Sequence, residues 1–72
     1  MSFEFNADEI LEMAEQIERN GARFYRKAAE LVQEAAVSKL LEDLASWEDG
    51  HERAFAAMRA DLAHQEREPR VF

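Results

Sequence analysis

Apolar residues recur along two stretches of the chain at alternating spacings of four and three. Ile10, Ala14, Ile17, Gly21, Phe24, Ala28 and Leu31 form the first series. Val37, Leu41, Leu44, Glu48, His51, Phe55, Met58 and Leu62 form the second, with two polar members. This spacing is the a/d seam of packed helices. Ala, Glu, Arg and Leu are the commonest residues, and all favour helix. Asn6 or Asp8 suits the N-cap, with Glu9 close behind, and Pro69 marks the far end. A single helix over roughly 60 residues would be about 90 Å long, so the pattern predicts a hairpin. The first helix should run from about residue 7 to 33 and the second from about 36 to 66. The break near Gln33–Val37 carries neither Gly nor Pro. Its only signs are a lapse in the apolar period and Ser38 as a candidate cap. The expected fold is all-α, an antiparallel two-helix hairpin.

Residues seven apart lie almost in line on a helix. Read by sevens, the first helix gives Leu11, Glu18, Tyr25, Val32. The second gives Leu41, Glu48, Phe55, Leu62 and, beside it, Val37, Leu44, His51, Met58. Each column is broken by one charged or titratable residue in an otherwise apolar or aromatic run: Glu18, Glu48 and His51. Glu48 and His51 are three apart and share a face. A hairpin turning near residue 33 pairs residues whose numbers sum to about 66, which sets Glu18 opposite Glu48. The three side chains therefore converge at one level. Burying a carboxylate without a partner costs several kcal/mol, and a divalent cation offsets two carboxylates with its own charge. Oxygen and imidazole donors without sulfur suit iron, manganese or zinc.

Plainer readings exist for each residue taken singly. A glutamate in an apolar column often pairs with arginine, and Arg19, Arg23 and Arg53 are at hand. A histidine on a seam is often a hydrogen-bonded core residue. Tyr25 reads as core, with its hydroxyl within reach of a ligand. Glu15 and Glu52 flank the site as an access path or accessory ligand, although solvated charge is the simpler account. Trp47 reads as a packing residue of a helix or dimer interface, and Phe24, Phe55 and Met58 as core. His64 reads as exposed, and Glu66-Arg67-Glu68 as a solvated helix end.

Composition narrows the function. Seventy-two residues bury too little surface for comfortable stability alone. There is no cysteine, so disulfides and thiolate metal sites are out. A metal or a partner chain remains as the stabilising device. The net charge of −7 is wrong for a nucleic-acid partner and for an anionic membrane surface. No apolar run is long enough to span a membrane. Met1-Ser2-Phe3-Glu4-Phe5 lacks the basic-then-apolar order of a signal peptide, which makes the cytoplasm the default expectation.

The stretch Ile17-Glu18-Arg19-Asn20-Gly21-Ala22-Arg23-Phe24-Tyr25 resembles the first ligand helix of rubrerythrin-like members of the ferritin-like superfamily. There a ligand glutamate is followed by a small residue and then Phe-Tyr. Leu44-Ala45-Ser46-Trp47-Glu48-Asp49-Gly50-His51-Glu52 is similar to their Glu-x-x-His helix. The resemblance spans about Ala7 to Met58. It implies a four-helix bundle with a di-iron site built from a Glu on each of two helices and Glu-x-x-His on each of the others. Members usually carry two hairpins in one chain, and this chain has one. The implied assembly is a homodimer or a higher even oligomer, with Glu18, Glu48 and His51 of two chains holding two irons per dimer. Short encapsulated ferritins resemble this arrangement, which adds the inside of a protein compartment to the expected locations. By the same resemblance Glu48 bridges the metals, and Glu18 and His51 are terminal ligands. The cysteine-bound electron-transfer module of full rubrerythrins is absent, so an electron donor would be external.

The expected activity is oxidation of Fe(II) or reduction of peroxide. The alternative is a non-enzymatic helical hairpin that dimerises as a scaffold, with Glu18, Glu48 and His51 as a structural polar cluster.

Overall fold

In the computed structural model, residues 5–67 are described and form two helices. Helix α1 spans Ala7–Leu31 and helix α2 spans Ala35–Arg67. They lie antiparallel as a hairpin, and no strand occurs among the described residues. Pro69 lies outside the described residues, as do the side chains of Glu66, Arg67 and Glu68.

Asn6 caps α1: its Oδ1 accepts the Glu9 backbone N–H at 2.8 Å. Asp8 and Glu9 in the first turn complement the helix dipole. The helix ends two residues earlier than the periodicity predicts. Val32 turns extended at φ −85°, ψ 132°, while its N–H still bonds the Ala28 carbonyl. The connection is thus only Val32–Glu34, and no residue in it needs a positive φ. Ser38 is not a cap but part of the first turn of α2. Its N–H bonds the Glu34 carbonyl at 2.9 Å, and its hydroxyl donates to the Ala29 carbonyl at 2.9 Å. That second bond satisfies a carbonyl at the C-terminal end of α1, which no helical N–H can reach.

The expected seam requires correction. Of the first series, Ile10, Ile17, Phe24 and Leu31 are exposed, the last three by more than two thirds. Met58, expected in the core, is half exposed. Among the described residues, the buried apolar ones are Ala22, Ala29 and Ala45. Their neighbours on the contact stripe include Leu11, Glu18 and Tyr25 of α1, with Leu41, Glu48, Phe55 and Leu62 of α2, all half-buried. Alanines let the two helices approach closely, so the fully buried line between them holds small side chains and the larger ones sit half-buried at its margins.

The hairpin is one layer thick, with extents of 60 × 31 × 12 Å. At about 100° per residue, Ile10, Ile17, Phe24 and Leu31 fall to one side of the contact stripe of α1. Leu40, Trp47 and Met58 fall to the corresponding side of α2. In an antiparallel pair these two sides make a single face of the hairpin, and that face is apolar and uncovered. The other face is tied by ion pairs across the helices. Arg19 bonds Glu52 at 2.8 Å, and Arg26 bonds Asp49.

Candidate metal centre

Glu18 sits midway along α1, and its side chain keeps 17% exposure. Its Oε2 is sealed from solvent and accepts no hydrogen bond. Glu48 and His51 reach the same level from α2. One potential ligand atom from each of the three residues lies within 4.8 Å of the others. Glu18 Oε2 is 3.5 Å from His51 Nδ1. The convergence read from the sequence is therefore present in three dimensions.

The electrostatics of this cluster are those of two carboxylates with too little positive charge. The carboxyl of Glu48 is held above the usual glutamate range. The largest cause is the hydrogen bond its protonated form shares with Glu18, followed by burial and by repulsion from Glu18. His51 acts in the opposite sense, more weakly. The arginines that the plainer reading would recruit do not neutralise the pair. Among the described residues no arginine forms an ion pair with Glu18 or Glu48. Arg19 is committed to Glu52, and neither Arg23 nor Arg53 pairs with Glu18 or Glu48; of the others, Arg26 is committed to Asp49 and Arg59 to Asp8 and Glu15.

A divalent cation fits this donor set. Two carboxylates and an imidazole are ordinary ligands for iron, manganese and zinc. With Glu48 ionised, Glu18 Oε2 is a buried acceptor without a hydrogen-bond donor, an arrangement that costs free energy unless something pairs with it. One chain supplies three donors. The cluster lies where His51 opens toward the apolar face, and the ring of Trp47 stands 5.3 Å from the imidazole, tilted by 49°. Trp47 itself is 63% exposed.

Glu15 departs from the solvated charge expected of it. It is buried, and Arg59 Nη1 donates to its Oε2 at 2.8 Å. Arg59 Nε donates to Asp8 Oδ1 at 2.9 Å, and the guanidinium lies 3.7 Å from Glu12. This network clamps the start of α1 to the later part of α2. It holds the Asp8 carboxyl below the usual range, chiefly through the hydrogen bond from Arg59. Reading by sevens could have found it. Asp8, Glu15, Ala22 and Ala29 form one column, and Ser38, Ala45, Glu52 and Arg59 its partner. Glu52 is likewise paired, with Arg19. Tyr25 is half-buried, and its ring meets Phe24 edge-on at 5.7 Å.

The chain matches the family described as Rubrerythrin over residues 6–71. No curated protein and no solved structure gave a match. The matched segment contains both helices and all three residues of the cluster. The chain belongs to the rubrerythrin family, and its all-helical hairpin and candidate ligand group agree with a ferritin-like, metal-binding protein.

Proposed function

We propose that this rubrerythrin-family hairpin pairs with a second copy through its apolar face, and that the pair holds two irons between Glu18, Glu48 and His51 of each chain. The observation that carries the reading is the cluster itself: three donor atoms within 4.8 Å, one a buried oxygen with no partner, beside an uncovered apolar face. A second hairpin laid on that face would cover Ile17, Phe24 and Trp47. It would also bring a second set of the same three donors, giving the four carboxylates and two imidazoles that two irons use in such bundles.

When bound, iron supplies one-electron redox chemistry toward oxygen or peroxide. The chain's own residues do the rest. Glu18 and Glu48 provide the negative charge that draws and holds a divalent cation. His51 adds a nitrogen donor and so distinguishes the site from an all-oxygen calcium or magnesium site. Ile17, Phe24 and Trp47, once covered, keep bulk water from the donors. Tyr25, one column step beyond Glu18, is proposed to adjoin the site without ligating. Glu15, one turn before Glu18, is proposed to hold α1 in register through Arg59. Manganese or zinc would suit the same donors.

The test is aerobic oxidation of Fe(II), followed by ultraviolet absorbance. The parent should oxidise iron faster than buffer alone, and Glu18→Ala and His51→Ala should bring the rate down to that of buffer. Variants that oxidise iron as fast as the parent would defeat the assignment.

A further inference from the structure

Glycine is one of the least favourable residues in a helix interior, yet Gly21 stands well inside α1, ten residues from its end. The backbone does not demand it. No glycine among the described residues has a positive φ, so an L-residue would adopt the same conformation. Space is the reason. A Cβ placed at Gly21 would meet Glu48 Oε2 at 3.3 Å, and Glu48 Cδ and Cγ at 3.8 Å. All three nearest atoms belong to one residue, and that residue is a member of the candidate metal cluster.

Gly21 is one helical turn beyond Glu18 and on the same side of α1. The bare backbone at 21 therefore opens the surface next to Glu18, and the Glu48 carboxylate lies over it. The other glycine makes a useful contrast. A Cβ at Gly50 would find only the Arg53 guanidinium, at an ordinary 3.9 Å.

We infer that Gly21 is a positioning residue: its missing side chain lets the Glu48 carboxylate rest against α1, where one of its oxygens lies within 4.8 Å of a donor atom of Glu18 and of His51. A methyl group there displaces the carboxylate by a few tenths of an ångström, away from α1. The ligand oxygen moves, while the fold gains a better helix former. The inference rests on the metal reading of the preceding section, and it predicts opposite signs for stability and for metal affinity.

The experiment uses the full chain with Co(II), whose visible absorption reports coordination, under anaerobic conditions. Parent, Gly21→Ala and Gly50→Ala are titrated with Co(II) and melted in chelator, with assembly checked by light scattering. Gly21→Ala should melt at or above the parent temperature without metal, bind Co(II) about tenfold or more weakly and show an altered visible band. Gly50→Ala should also melt higher but bind Co(II) as the parent does. If the parent binds no Co(II), the metal reading falls and this inference falls with it. If the parent binds and Gly21→Ala binds equally well with the same band, the metal reading stands and the role of Gly21 is overturned. A Gly21→Ala variant that melts clearly lower in chelator would mean that the methyl pushes the helices apart. Gly21 would then be a packing residue, and the inference would be overturned in that case too.

Discussion

Glu18 Oε2 lies 3.5 Å from Nδ1 of His51, and that oxygen is sealed from solvent with no hydrogen-bond donor of its own. The two residues come from different helices and are brought together by the close approach that Ala22, Ala29 and Ala45 allow. With Glu48 pressed against Gly21 on the same level, the hairpin holds two carboxylates beside one imidazole, and among the described residues no arginine or lysine forms an ion pair with either carboxylate. The cluster is a poor way to stabilise a fold and a good way to hold a cation.

Replacing Glu48 with leucine separates these two uses. Glu48 lies between Leu41 and Phe55 on its column, so leucine extends an apolar strip and removes a repelling carboxylate. In chelator, Glu48→Leu should melt higher than the parent, by on the order of a few degrees. Added metal should then do little for the variant and much for the parent, because binding to the folded state alone adds stability. Thermal melting followed by circular dichroism, with and without Fe(II), checks both halves. A variant less stable than the parent in chelator would mean that Glu48 neutralises a positive charge.

The pH dependence of the metal-free protein carries the same signature. Glu48 has its pKa raised in the folded state, so the fold binds more protons than the unfolded chain just above the ordinary glutamate range. Stability therefore rises as pH falls from neutral toward that range. Asp8 and Asp49 have lowered values, chiefly through hydrogen bonds from Arg59 and Arg26. Their contribution is present above the ordinary aspartate range and is lost as pH falls through the lowered values. Melting temperature in chelator should pass through a maximum on the mildly acidic side. In Glu48→Gln the rise toward that maximum should be absent, while the acid loss remains.

The hairpin was legible in the sequence because its period is long and regular, and the meeting of Glu18 with Glu48 followed from the position of the turn. The orientation of each helix was not legible in the same way. Counting apolar residues selects Ile10, Ile17, Phe24 and Leu31 as the seam, since large side chains usually mark a core. In a one-layer hairpin the interior is narrow. Its buried line takes alanines; Leu11, Tyr25, Leu41, Phe55 and Leu62 sit half-buried beside the polar cluster, and Ile10, Ile17, Phe24 and Leu31 are left on the open face. Glu15 was misread for a related reason. A charge near a helix start looks solvated unless its partner is seen, and Arg59 is 44 positions away.

The open face predicts assembly. Among the described residues, nine large apolar side chains of the two helices are exposed, and a contiguous apolar face of this kind marks an interaction surface. Trp47 is the chain's single tryptophan and part of that face. Light scattering should find a dimer or a higher even oligomer at micromolar concentration. Trp47 emission should be blue-shifted in the assembly and move to the red on dilution. A folded monomer with solvent-exposed tryptophan emission at micromolar concentration would count against pairing.

Anaerobic titration with Fe(II) tests the central claim most directly. Three donors per chain, shared in pairs, give two irons for every two chains. Binding should saturate at one Fe(II) per chain in the parent and fall away in Glu18→Ala and His51→Ala, with the oligomer intact. Saturation at one Fe(II) per two chains, or no binding at all, would contradict a di-iron site built from two hairpins.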